Sequence, residues 1–411
     1  MKILLYSLIF APDVCSNAYV FSDMAKEMKR QGHTVTVITT TPHYDEKTAV
    51  QKKAELLAGK KSYYRKSLFD GINVYHIDVA PKKGGGMDRI KTFYRLHKYA
   101  TRLIKDENIE ADIVLAQTPP PIIAALDCHR LAKKLGAKSV LILQDLWVDS
   151  MIKKGKLKQP LRSIVLAYEK RLYNKLDAVC TISDAMANVV APKLKNKDKL
   201  NVIPNFVDTT LYHPIDATLE MREKYGVSEN DFVVSYVGNI GNAQDLTPLL
   251  EYAKEHQNDN IKVLIAGNGT KEEHYKQMMT DVKSVKFLGY VPTEETLLIN
   301  AVSDACLVML AKHVIETSFP SKIYTIMAMG KPILITCGAR SAAGQFVEEN
   351  SIGWSMRTDS ADEFTQVMGK LVTKPDSLKE YGENAYNLIK SEYSQDVVVG
   401  RYIKLFNKLL G

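Results

Sequence analysis

The chain has 411 residues, more than one hydrophobic core ordinarily organises, so two domains are expected. Apolar residues make 45% and charged residues 25%, an ordinary globular composition that excludes a disordered, collagenous or fibrous protein. The net charge of +8 is unevenly placed: residues 1–200 carry +15 and residues 201–411 carry −7, so the first half suits phosphates, an anionic membrane surface or nucleic acid.

Met1 to Ala11 reads as a buried strand rather than a leader, because Pro12-Asp13 follows at once and no small-residue cleavage site is evident. SNAYVFSDMAKEMKRQG is then a helix ending at Gly32, and HTVTVITT a second strand, which makes a βαβ unit. His43 after Pro42, and His97 further on, are expected to be ordinary polar or core histidines. Asp88 to Lys105 carries an apolar stripe (Ile90, Phe93, His97, Ala100, Ile104) beside a basic one (Lys91, Arg95, Lys98, Arg102, Lys105), with Asp88 as its cap. ADIVLAQ, a helix over 121–135, KSVLILQDL, a helix near 161–176 and DAVCTIS continue the rhythm. A second basic cluster, Lys153, Lys154, Lys156, Lys158 and Arg162, precedes that last helix. After Ile203-Pro204-Asn205 the cycle restarts with DFVVSYVGNI, a helix over 245–255, IKVLIAG, VKFLGYV, DACLVML and PILIT. Two doubly wound domains are expected to meet near residue 204, with ligands at a shared cleft of strand-end loops. No apolar run reaches the ~20 residues of a transmembrane helix. Five Cys at 15, 128, 180, 306 and 337 form no C-x-x-C pair and suit reduced thiols in a cytosol.

No P-loop motif is present, and Gly267-Asn268-Gly269 lacks the third glycine of a dinucleotide fingerprint, which disfavours a nicotinamide dehydrogenase. The turn Gly238-Asn239-Ile240-Gly241 follows a strand and opens toward a helix, where unpaired amides and the helix end favour an anion. Phe319-Pro320-Ser321-Lys322 opens another helix. A Lys in a first turn opposes the helix dipole and wants an anionic partner. Asp145, Trp147 and Asp149 end a strand and are candidates to face a ligand. No His-x-x-x-His or paired acidic spacing supports a metal site.

PHY at 42–44, QTPPP at 117–121, DLW at 145–147, TIS at 181–183, VIPNFVD at 202–208, VGNIG at 237–241, AGNG at 266–269, FLGYVP at 287–292 and MAMGKP at 327–332 stand in one order along the chain. In these the sequence resembles family 4 glycosyltransferases of the GT-B fold. Its DLW and FPSK segments are most similar to the bacterial O-antigen and capsule branch that includes fucosamine transferases. The resemblance implies an α/β chain of two Rossmann-like domains facing a central cleft. Residues 1–203 would bind acceptor and 204–390 the nucleotide sugar, with the helix 391–411 returning to the first domain. It implies a retaining transferase moving an N-acetylated amino or deoxyamino sugar from a UDP-sugar, without metal or other cofactor. The acceptor would be a polyprenyl-diphosphate-linked glycan. The enzyme would sit in the cytoplasm, peripheral on the inner face of the bacterial plasma membrane, with Lys91, Arg95, Lys98, Arg102, Lys153 and Lys154 facing the lipid.

Site residues follow position by position. The family's glycine-rich first loop falls on Val14 to Asn17, leaving Asn17 to meet donor and acceptor. Its cations after the VG strand become Asn239 and Gln244, so Lys322 is expected to grip the donor diphosphate. Its paired Glu fall on Thr317, beside Glu316, and on Thr325. Gly238, Gly241, Gly267, Tyr290, Val291, Ser321 and Thr325 complete the donor set. A frequent His is Gln144 here, and Gln144, Asp145 and Trp147 are placed on the acceptor. Lys322, Asp145 and Glu316 are the catalytic candidates. A GT-B sugar-nucleotide epimerase and a basic nucleic-acid-binding protein are the competing expectations; no nucleic-acid motif is visible.

Overall fold

The computed structural model describes residues 1–13, 15–43, 46–79, 86–117, 121–153, 155–257, 260–312, 319–338, 341–358, 360–373 and 376–411. Internal contacts divide the chain into two units, Met1–Phe206 with Gln395–Gly411, and Val207–Ser394. The changeover is at Phe206/Val207, and the returning segment starts at Gln395.

In the first unit the strands are β1 (Lys2–Ser7), β2 (Thr34–Thr40), β3 (Leu57–Ala58), β4 (Tyr64–Phe69), β5 (Ile72–Ile77), β6 (Ile113–Gln117), β7 (Lys138–Leu143), β8 (Ala178–Thr181) and β9 (Leu200–Val202). Among the described residues they form one sheet in the order β3-β4-β5-β2-β1-β6-β7-β8-β9. β1 lies parallel between β2 and β6, with Leu4 opposite Thr36 and Val114. Runs such as ILLY and IVLA are apolar on both sides because helices cover both faces of a parallel sheet. Leu4, Tyr6, Val114 and Leu141 pack on one face, and Ile3, Leu5, Val37 and Leu115 on the other.

The C-terminal helix Gln395–Leu410 buries Val398, Val399, Tyr402 and Phe406 on that second face, beside Phe21 of the helix Ser16–Arg30. At about 2 kcal/mol for each fully buried apolar side chain, this is ample to hold the helix there. Three features differ from the expectations. β4 and β5 form an antiparallel hairpin that the sequence reading left out, turned at Asp70-Gly71, both with positive φ. The basic helix runs Gly86–Asp106, so Asp88 lies inside its first turn instead of capping it. The helix expected over 161–176 is Leu161–Tyr173.

In the second unit β10 (Phe232–Val237), β11 (Ile261–Ala266), β12 (Val285–Gly289), β13 (Ala305–Met309), β14 (Ile333–Thr336) and β15 (Gly353–Met356) are all parallel, in the order β12-β11-β10-β13-β14-β15. Connections leave β10 in one direction and return to β13 on its other side, which creates a switch point between these two strands. Phe232, Val234 and Tyr236 pack against Leu249, Leu250 and Phe364 on one face, while Val308, Ile323, Met327 and Ile335 fill the other. Cys128, Cys180, Cys306 and Cys337 are buried free thiols.

A buried charge cluster fixes the segment after β7. Lys193 Nζ lies 2.6 Å from Asp149 and 2.7 Å from the buried carboxylate of Glu169, which also accepts from Tyr173 at 2.9 Å. Removing the cation strands Glu169 in a low-dielectric site. Lys193→Met is therefore expected to lower the stability of the first unit by about 3 kcal/mol, read as an earlier denaturant midpoint. An unchanged midpoint would contradict this role.

Candidate active site

Because the strands of the second unit are parallel, the loops after β10, β11, β12 and β13 emerge along one edge of the sheet, where ligands of such folds bind. Gly238 directly follows β10, has φ 147° and donates its N–H to Ala266 at 2.9 Å. A Cβ on Gly267 (φ 135°) would overlap the Gly238 carbonyl oxygen. Glycine at 267 is thus demanded by backbone packed on backbone.

Lys322 begins the helix Lys322–Ala328 and reaches the same turn. Its Nζ stands 4.1 Å from the ring centre of Tyr236, and a Cβ added to Gly238 would fall 2.5 Å from that ammonium. Tyr236 donates its hydroxyl to the Asn239 carbonyl at 2.6 Å, so ring and turn are held as one piece. No carboxylate among the described residues pairs with Lys322. Desolvation by burial lowers its pKa to about 7. A cavity of about 150 Å³ adjoins it, lined by Ser235, Val237, Asn300, Cys306 and Thr325 among others. An ammonium beside a glycine turn, on a π face and without a counter-charge, is arranged to receive an anion.

The turn itself offers fewer amides than expected. Ile240 N–H donates to Asn268 at 2.9 Å, and Gly241 N–H reaches the Gln244 side chain at 3.3 Å, which also accepts from Asn239 Nδ2 at 3.3 Å. The next helix, Thr247–Glu255, begins six residues after Gly241 instead of at the turn itself. Asn239 and Gln244 therefore brace the turn, and the charge at its mouth is that of Lys322. Ser321 is exposed beside it and Thr325 lines the cavity. Tyr290 is 72% exposed after β12, while Val291 packs inward beside Val237. Glu316 and Thr317 lie outside the described residues.

In the first unit, Asn17 sits in the first turn of the helix after β1. Trp147, 42% exposed, opens the helix Trp147–Lys153 just past β7, its position fixed through Asp149 and Lys193. Asp145 reaches solvent, yet desolvation pushes its pKa above the usual carboxylate value, opposed by the Trp147 backbone amide. Gln144, placed on the acceptor by the sequence, lies just past β7 and pairs with Asn205. Its amide exchanges two 3.0 Å hydrogen bonds with Asn205, which fix its orientation and leave one N–H and one carbonyl lone pair for a ligand. Sequence reasoning also missed a polar pair at this strand edge. The buried Asp13 accepts from His43 N–H at 3.1 Å, and His43 Nδ1 lies 3.1 Å from Thr40 Oγ1. His97 Nδ1 meets the buried Asp127 at 2.5 Å, which also accepts from Tyr6 at 2.6 Å. Of the basic residues, Lys91, Arg95, Lys98 and Arg102 are exposed along one helix, with Arg102 within 3.4 Å of Asp106; Lys153 is exposed on another, and Lys154 lies outside the described residues. Tyr236, which carries Lys322, gave no signal in sequence because it reads as one more strand residue.

Comparison with known proteins gives this geometry a family. The profile of Glycosyltransferase Family 4 matches residues 18–211, and that of Glycosyl transferases group 1 matches residues 218–388. The chain is 25% identical over 370 residues to WcaI, the glycosyl transferase assigned to colanic acid biosynthesis in Escherichia coli, covering 85% of this chain and 86% of that one. It is 25% identical to the alpha-galactosylglucosyldiacylglycerol synthase of Streptococcus pneumoniae, over 76% of this chain and 82% of the other. HepE of Anabaena, solved in complex with UDP, shares the fold with a TM-score of 0.70 at 16% identity, over 99% of this chain and 100% of its own. The chain belongs to the family 4 glycosyltransferases and has their GT-B fold. It is a transferase of glycosyl groups.

Lys322 has a stability signature of its own. Its charged form is penalised in the folded state, and the penalty is complete below about pH 7 and fades as pH rises toward the value of an exposed lysine. Lys322→Met is expected to raise the denaturation midpoint of the second unit, most at pH 6 and least near pH 10. A gain that is absent, or that grows with pH, would contradict the assignment.

Proposed function

We propose that the protein is a retaining glycosyltransferase that moves a sugar from a UDP-sugar to a glycan carried on a polyprenyl diphosphate, in surface-polysaccharide assembly of the O-antigen or capsule kind. The observation that carries the reading is the Lys322 ammonium, lodged over Tyr236 beside Gly238 with no counter-charge among the described residues. The UDP complex of HepE supports a uridine donor. The colanic acid relative supports a polysaccharide product, and the diacylglycerol relative an acceptor that lives in lipid.

In this reading the second unit binds the donor and the first the acceptor. Gly238, Gly241 and Ser321 border the diphosphate, Thr325 and the cavity behind it meet the nucleoside side, and the Tyr290-Val291 backbone adjoins the base. As the glycosidic C–O bond breaks, negative charge grows on the β-phosphate, and Lys322 stabilises it more than it stabilises the intact donor. The acceptor hydroxyl forms the new bond on the same face of the sugar and passes its proton to the departing phosphate. Trp147 offers an apolar plane to an acceptor sugar, and Asp145 and Asn17 offer hydrogen bonds. Turnover uses side-chain charge in place of a metal. The FPSK and DLW segments favour an N-acetylated amino or deoxyamino sugar of the fucosamine kind. Lys91, Arg95 and Lys98 add to a positive unit that attracts the anionic cytoplasmic leaflet.

Two results test this. A screen of UDP, GDP and their amino sugars by thermal shift should pick out uridine compounds, with about 2.7 kcal/mol gained at 100 times the dissociation constant. Lys322→Ala should lower kcat by a factor of about 10² with KM for acceptor unchanged. Silence from every nucleotide, full activity of the variant, or sugar conversion without any acceptor, as an epimerase would give, would refute the reading.

A further inference from the structure

Residues 150–168 contain five cations, Lys153, Lys154, Lys156, Lys158 and Arg162, and no Asp or Glu. The helix Leu161–Tyr173 that ends this stretch buries Glu169, Leu172 and Tyr173 in its second half. Its first two turns do the opposite. Leu161 is 55% exposed, Ile164 62% and Tyr168 42%, and their spacing of three and four places them in one stripe, continued by the exposed Arg171. A single exposed leucine needs no explanation, but three large apolar side chains in one line along an outer helix mark a contact surface. Lys156, Lys158 and Arg162 are exposed around the stripe.

The charge decides the partner. A second copy docking symmetrically would set these cations against the same cations, which is unfavourable. A bilayer bearing anionic headgroups presents the complementary charge, with an apolar layer just beneath it. Tyr168 fits that boundary, its ring apolar and its hydroxyl polar.

We propose that the first two turns of the helix Leu161–Tyr173, with the basic loop before them, form a docking surface for an anionic lipid bilayer. Leu161, Ile164 and Tyr168 lie at the headgroup–acyl boundary, and Lys156, Lys158 and Arg162 face lipid phosphates. This deepens the proposed function, since it rests on the acceptor being held in a membrane, and it names the element that brings the enzyme to it.

The experiment is co-sedimentation of the full chain with phosphatidylcholine vesicles, with and without phosphatidylglycerol, alongside UDP titration and light scattering. The wild type is expected to bind only the anionic vesicles. Leu161→Ser/Ile164→Ser and Lys156→Glu/Arg162→Glu should each weaken that binding by about tenfold or more. Neither pair should change the circular dichroism spectrum or the denaturation midpoint of the first unit, which shows that the mutated unit is folded, and neither should change UDP affinity in the second. Vesicle binding retained in both variants overturns the proposal. So does a wild-type dimer that the apolar variant converts to monomer. Vesicle binding that depends on the stripe, in a protein that takes no UDP, would uphold this surface and refute the donor reading alone.

Discussion

An ammonium group set over an aromatic ring, with no carboxylate partner among the described residues, is costly to keep. Lys322 is such a group, and much of the second unit makes sense as its housing. The Tyr236 ring supplies a π face, and the Tyr236 hydroxyl ties the ring to the Asn239 carbonyl. Gly238 leaves the space in which the ammonium sits, and Gly267 lets the neighbouring loop close against Gly238 from behind. Asn239 and Gln244 satisfy the remaining side of the turn. Each part spends its hydrogen bonds on the shape of the turn, which leaves the positive charge as the feature offered outward. Lys193 is paired with Asp149 and Glu169, and Lys331 donates to the Ala301 carbonyl at 2.8 Å.

The two units share one architecture and present different groups. Both place a central strand, β1 or β10, between parallel neighbours at a switch point of the sheet, and both gather candidate residues on the loops beyond the strand ends. In the second unit those loops are glycine-rich and hold a cation. In the first they carry Asp13 with His43, and Asp145 with Trp147, groups suited to hydroxyls and sugar faces. The same unit carries the positive charge of the chain.

Much of this was legible in sequence. The alternation of short β-branched runs with amphipathic stretches gives the doubly wound units, because period and length separate buried strands from helices. Lys322 was legible as an oddity, a cation where a helix dipole disfavours one. The hairpin of β4 and β5 was overlooked although Asp70-Gly71 announces its turn, since SLFDGINV is too short to stand out beside the basic stretch that follows. That Asn205, sixty-one residues away, braces Gln144 was beyond the reach of sequence. The amides of the Gly238 turn looked unpaired for the same reason, their partners being carbonyls and a side chain brought near only by folding. Pairing across the chain is the information that periodicity lacks.

The central claim is that a diphosphate completes the charge of Lys322, and proton uptake on binding reads this directly. Free Lys322 is largely neutral at about pH 8, so an anion that holds it charged must draw a proton from solution. Calorimetry of UDP binding in buffers of different ionisation enthalpy should show uptake of about one proton per UDP at that pH in the wild type, fading toward pH 6 and absent from Lys322→Met. Binding of UDP at pH 8 with no proton taken up, or with the same uptake in the methionine variant, would contradict the account.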